Sequence, residues 1–172
     1  MILQNKRKER TFLERVNSIF KHKIYQQEMK KINYYERNRI YCKHGVEHQL
    51  EVARIAYIAA LEQNSSIEKE LIYAAALLHD IGRGIQYETK QDHEKASVSL
   101  AESILPECGF TENEIKEILC AIRSHRDKET KKQSKLSNLI CEADKRARNC
   151  FLCESSDTCY WPADKKNDRL EI

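Results

Sequence analysis

Ala74-Ala75-Ala76-Leu77-Leu78-His79-Asp80-Ile81-Gly82-Arg83 is the segment on which both fold and chemistry turn. Seven of the eight residues from Leu71 to Leu78 are apolar, without the alternation of a strand, which predicts a helix buried on most sides with Gly82 as its C′ residue. His79 and Asp80 then fall at the end of that helix. An unpaired carboxylate placed there costs several kcal/mol or takes up a proton, and a coordinated cation removes the penalty. Adjacent helical residues point about 100° apart, so the pair can share an ion only at a helix end. Taken alone, the segment fits equally well a solvated helix end with a chance His-Asp pair.

The surrounding chain favours helices. It has 172 residues, 41% of them hydrophobic and 33% charged, with four Gly and two Pro, which suits one all-α domain with a real core. The formal net charge of +3 is spread among interleaved signs, so no nucleic-acid affinity is expected; the basic opening Lys6-Arg7-Lys8-Glu9-Arg10 is expected to be a frayed terminus. Met1-Ile2-Leu3 leads straight into polar residues, and no apolar run approaches the ~20 residues of a bilayer crossing. A soluble, cytoplasmic protein is therefore expected, with no membrane partner. Seven cysteines in such a chain are expected as thiols or metal ligands rather than disulfides.

From Arg10 to Arg39, Phe12, Val16, Ile19, Phe20, Ile24, Met29, Ile32 and Tyr35 recur at helical steps and predict one broken or two short amphipathic helices with little chemistry. His22, among lysines, is expected to be exposed. The next helix carries an apolar face of Leu50, Val52, Ala53, Ala56 and Ala59/Ala60, and His44 and His48 share a face if it includes both. Beyond Gly84, Ile85 to Gln91 is expected to be a polar loop. Asp92 is expected to cap a helix that opens on His93 and stops near Pro106 and Gly109. Thr111-Glu112-Asn113-Glu114 is a capping box for a helix ending near His125, and a last helix from about Lys135 to Arg148 carries Asp144 beside its apolar face.

His48, His79, Asp80, His93, His125 and Asp144 thus lie at helix ends or beside apolar stripes. Imidazole and carboxylate in this mixture suit Mn, Fe, Co, Ni or Zn and disfavour calcium. The phrases His48-x-x-x-Val52-Ala53 and Leu77-Leu78-His79-Asp80-Ile81-Gly82, followed by Ala143-Asp144-Lys145, resemble the HD-domain superfamily of metal-dependent phosphohydrolases over about Tyr41 to Arg148. The resemblance implies a single compact helical bundle, with residues 1–40 as a helical arm, 41–148 as the HD domain and 149–172 as a short irregular Cys-containing tail. It implies His48, His79, Asp80 and Asp144 as ligands of one divalent ion. His93 and His125 match the further histidines of relatives that hold a second ion, or they orient ligands or contact phosphate.

The activity so implied is hydrolysis of a phosphoester in a small metabolite, with a nucleotide as the family's tendency, by metal-activated water. Asp80 would hold the ion, and Arg83 is the first choice among the nearby cations Arg83, Arg126 and Lys145 to meet the phosphate. His44, or His125 if it is not a ligand, would serve as general acid. A mixed-valence di-iron oxygenase, as among some HD relatives, and a non-catalytic nucleotide or metal sensor are the alternatives. Oligomeric state is not legible here.

In the tail, Cys150-x-x-Cys153 and Cys159 can form a zinc chelate with Cys42 as the fourth ligand; free thiols, a redox pair or an iron–sulfur site remain open. Cys120 and Cys141 sit on helices as small core residues, and Cys108 is expected to be a loop thiol.

Overall fold

A computed structural model of the protein describes residues 12–124 and 134–170. Among these residues there are eight α-helices and no strand: α1 (Glu14–Lys21), α2 (Lys23–Glu36), α3 (Val46–Glu62), α4 (Lys69–Leu78), α5 (Arg83–Thr89), α6 (His93–Glu107), α7 (Glu112–Ser124) and α8 (Lys135–Arg146). Two single 3-10 turns, Cys150–Leu152 and Ala163–Lys165, follow in the tail. None of the helices is long and apolar enough to cross a membrane.

The predicted buried helix is α4, with Leu71, Ile72 and Ala74 to Leu78 all buried. It packs against α1, α3, α7 and α8. Burying each large aliphatic side chain contributes ~1.5–3 kcal/mol, so Leu71, Ile72, Leu77 and Leu78 anchor the domain. The alanines do a different job: Ala74, Ala75 and Ala76 on α4 and Ala53, Ala56, Ala59 and Ala60 on α3 are buried and let the two helices approach closely.

Several expectations need correction. Leu50 is only half-buried, and Gln49 takes the core position on α3 because Tyr25 Oη donates to its Oε1 at 2.6 Å. The N-terminal arm is two helices, within what was expected, but Phe12 and Tyr35 are exposed and Tyr25 is buried instead. His22, expected among exposed residues, sits at the break as the cap of α2, its Nδ1 accepting from Ile24 N–H at 3.3 Å. Cys108 is a buried C-cap of α6, not a loop thiol. Asp92 does cap α6, its Oδ1 accepting from Glu94 N–H at 2.8 Å, and Glu114 closes the capping box by accepting from Thr111 N–H at 2.7 Å.

Gly82 is not a left-handed C′ residue. Its φ of −76° is ordinary, and it leads directly into α5, a helix where a polar loop was expected. The glycine answers to packing: a Cβ there would lie 2.4 Å from His93 O and 2.5 Å from Ser97 N. The 79–82 turn is thus pressed onto the first turn of α6, and Gly82 N–H donates to Ser97 Oγ at 2.9 Å. Gly84 lies close against α2, where a Cβ would meet Lys31 Cβ at 3.0 Å. These two approaches bring α2 and α6 to the end of α4.

Gly82→Ala should therefore destabilise the domain by at least the ~1–3 kcal/mol of an overpacked core. Urea unfolding measures it, and a loss below 0.5 kcal/mol, roughly the scale of a neutral surface change, would contradict this account of the turn.

Candidate metal centre

The His-Asp pair leaves α4 just as the helix ends, with both side chains buried. His79 Nδ1 lies 2.7 Å from the carbonyl of Ala76 and donates its proton there. That bond selects the tautomer whose Nε2 carries a lone pair, the form a metal takes. His79 Nε2 lies 3.3 Å from Asp80 Oδ2 and 3.9 Å from Asp144 Oδ1. His48, on the first turn of α3, brings Nε2 to 3.2 Å from Asp144 Oδ1. Ligand atoms of His48, His79 and Asp80 lie within 4.8 Å of one another.

These distances suit one ion. Ligands ~2.1 Å from a transition metal are about 3.0–3.4 Å apart in octahedral or tetrahedral arrangement. Burial disfavours the ionised form of both carboxylates, yet both are held below their usual range. For Asp80 the opposing groups are His79, Arg83 and His44; for Asp144 they are His48, His79 and Arg148. Two buried carboxylates and two imidazoles converging on one point are a donor set fitted to a divalent cation, which would take the place of the protons the imidazoles otherwise share with Asp80 and Asp144.

The far side of Asp80 is differently occupied. Its Oδ1 lies 3.0 Å from Arg83 Nε and 3.3 Å from His93 Nε2. His93 is placed by the first turn of α6, as the Asp92 cap predicts. Burial pulls the Arg83 guanidinium down, and the Asp80 carboxylate more than offsets it.

His44 precedes α3 rather than belonging to it, so its approach to His48 comes from the loop and not from helical spacing. Its ring centroid is 5.7 Å from that of His48. Glu36, the last residue of α2, holds it: His44 Nδ1 is 2.6 Å from Glu36 Oε1, and the His44 backbone N–H donates to Oε2 at 2.7 Å. Tyr87 Oη on α5 donates to the same Oε1 at 2.6 Å. Against the upward push of burial, His44 and Tyr87 hold Glu36 at about 2. Desolvation lowers His44 despite this carboxylate, leaving an imidazole whose Nε2 lies 3.9 Å from Asp80 Oδ2.

His48, His79, Asp80, Asp144, His93, His44 and Arg83 thus gather at one end of the bundle. His125 and Arg126 lie outside the described residues. Lys145 is exposed, and Arg148, one turn later, is the cation beside Asp144, with Nη2 3.5 Å from Oδ2. Glu36, Tyr87 and Arg148 were missed. Glu36 sits on an arm read as mere packing, where only a buried acid on an otherwise apolar face could have given it away.

Two adjoining cavities open beside the cluster. The smaller, about 60 Å³, is lined by Arg39, His44, Arg83, Arg148, Tyr160 and Trp161 among others. The larger, about 260 Å³, reaches His48 and Arg148 and is walled by Cys42, Cys150, Cys153 and Cys159.

A model of the HD domain matches residues 45–149. An uncharacterized protein of Clostridium beijerinckii is 39% identical over 158 residues, covering 92% of this chain and 99% of that one. Ribonuclease Y of Aquifex aeolicus is 28% identical over 142 residues, covering 79% of this chain, which spans only 24% of that enzyme. Ribonuclease Y of Lawsonia intracellularis is 30% identical over 104 residues, 18% of its length. Among solved structures, a predicted HD superfamily hydrolase from an uncultured Thermotogales bacterium superposes with a TM-score of 0.63, covering 83% of this chain and 79% of that one. Its identity of 23% makes it a likeness of fold.

If the four donors form one site, Mn²⁺ at 100 times its Kd should stabilise the protein by about 2.7 kcal/mol. Asp144→Ala should abolish most of that gain in a thermal melt, and an equal gain in wild type and variant would remove Asp144 from the site.

Proposed function

The chain belongs to the HD-domain family, and from that membership we propose that it is a metal-dependent phosphohydrolase that cleaves a phosphoester of a nucleotide. The observation that carries this is the convergence of His48, His79, Asp80 and Asp144 beside a pocket lined by three arginines. A divalent ion bound there would bring the pKa of its water near 7 and polarise a phosphoryl oxygen.

The protein's own groups do the rest. His48, His79, Asp80 and Asp144 would hold the ion. Arg39, Arg83 and Arg148 supply the positive wall that a phosphate needs, and guanidinium forks suit its oxygens. Arg83, tied to Asp80, is restrained before substrate arrives. His44, oriented through Nδ1 by Glu36, would have to take up a proton at Nε2 before it could give one to the leaving oxygen. Tyr160, exposed beside the pocket, offers an aromatic ring to a base, which supports a nucleotide over a smaller phosphate.

One ion is favoured over two. A second ion would need Asp80 Oδ1, and that oxygen already faces Arg83 at 3.0 Å. This favours hydrolysis over di-iron oxygenation. His93 is then an orienting partner of Asp80, and the ribonuclease Y relatives make a phosphodiester the first bond to try after a 5′-phosphomonoester.

The test is a screen of mononucleotides and dinucleotides with Mn, Co, Ni, Zn or Fe(II) supplied. Asp80→Ala should abolish turnover, beyond the roughly 10–100-fold loss typical of removing a group that only orients a ligand. Arg148→Ala should raise KM by roughly 10–100-fold, the loss of a charge-assisted hydrogen bond worth ~1.5–3 kcal/mol. Full activity in Asp80→Ala, or oxygen consumption in place of phosphate release, would overturn the proposal.

A further inference from the structure

Beyond Arg146 the chain has little apolar material to fold on: Leu152, Tyr160 and Leu170 are exposed, and regular structure is limited to the two 3-10 turns. Its path is nevertheless tied down on both sides of the site. Tyr41 Oη donates to the carbonyl of Thr158 at 2.9 Å, and the Tyr41 and Tyr160 rings meet edge to face at 5.6 Å. The Arg148 guanidinium lies 4.0 Å from the Trp161 ring centroid. Asn167 Nδ2 donates to the carbonyls of Lys145 at 2.8 Å and Arg148 at 2.7 Å, closing the end of α8.

This path gathers four of the chain's seven cysteines. Cys42, on the α2–α3 loop, faces Cys150, Cys153 and Cys159 across one cavity of about 260 Å³. The tail winds between them in tight turns: Cys153 N–H donates to Cys150 O at 3.2 Å, Ser156 N–H to Cys153 O at 3.0 Å, and Cys159 N–H to Ser156 O at 3.3 Å. Three of the thiols are half-buried and Cys42 is the exposed one. Partial desolvation raises the Cys42 thiol; Arg148 opposes the rise, and Cys150 and Cys159 add to it, so the thiols interact.

We propose that Cys42, Cys150, Cys153 and Cys159 are the ligands of a second metal centre, a four-thiolate site that pins the tail over the mouth of the His/Asp centre. Four soft donors and no open position make a closed, structural site. Each thiol gives up its proton to solvent as the metal binds. A zinc ion ~2.3 Å from each sulfur sets the sulfurs about 3.8 Å apart. Among the described residues the set of three donors within 4.8 Å is the His48, His79, Asp80 group and not the thiols. A zinc ion therefore requires the thiols to turn inward, and an iron–sulfur core, being larger, requires less closure. The shared chemistry is thiolate ligation, independent of whether the His/Asp centre hydrolyses phosphoesters.

The experiment measures zinc, iron and acid-labile sulfide in protein purified anaerobically without chelator. Wild type, Asp80→Ala and Cys150→Ser/Cys153→Ser are compared, with far-UV dichroism as the check on folding. One zinc per chain, or iron with matching sulfide, should persist in Asp80→Ala and vanish in the cysteine variant; zinc marks a single ion and sulfide a cluster. Because Trp161 is the single tryptophan, its emission should shift to the red when a mercurial thiol reagent strips the metal from wild type, which answers the question even if the cysteine variant does not fold. Equal metal content in wild type and cysteine variant, no zinc or iron in reconstituted wild type, or unchanged Trp161 emission would overturn the proposal.

Discussion

Two buried carboxylates set the terms for this molecule. Asp80, in the turn after α4, and Asp144, on α8, are both nearly inaccessible, and both are kept ionised by the groups around them. Such an arrangement is tolerable only where neighbouring charge and hydrogen-bond donors offset the desolvation, and the end of the bundle is built to supply them. The apolar packing of α4 drives His79 and Asp80 inward. Helices α3 and α8 deliver His48 and Asp144, and the close contact at Gly82 delivers His93. Each carboxylate also has its own arginine, Arg83 three residues on and Arg148 just beyond the end of α8.

Around this centre the outer groups divide the labour by position. Glu36 reaches in from α2 and fixes His44 by two contacts, one to the ring and one to the backbone, while Tyr87 steadies Glu36 from α5. The arm that precedes the HD match therefore takes part in the site, although the match itself begins at residue 45. The tail adds the other wall: Tyr160 and Trp161 border the arginine pocket, and Arg148 bridges from Asp144 to the Trp161 ring. Chain outside the matched region thus shapes the cavity.

Much of this was legible from local signals. The run ending in His79-Asp80 announced a buried helix with a polar end, Asp92 announced the start of α6, and Thr111 with Glu114 announced α7. What escaped depends on contacts between distant segments. Gly82 looks like a helix stop, but its lack of a side chain serves a close approach to the His93 carbonyl, which an added Cβ would meet at 2.4 Å and which no local pattern encodes. Helix α5 is seven residues long and opens between glycines, too short and too polar for periodicity to reveal. Glu36 carries no local signal on an amphipathic arm, and its role appears only once His44 and Tyr87 are folded around it. The place of Cys42 opposite the tail cysteines was suggested by chain order, whereas the cavity they share is a tertiary fact.

The measurement that goes most directly to the centre is anomalous X-ray diffraction from crystals of the protein grown with Mn²⁺ and recorded on both sides of the manganese edge. An ion bonded to His48 Nε2, His79 Nε2, one Asp80 oxygen and one Asp144 oxygen, each at roughly 2.0–2.2 Å, is the predicted result. Anomalous density elsewhere, or none at these four side chains while they keep their present arrangement, would contradict it.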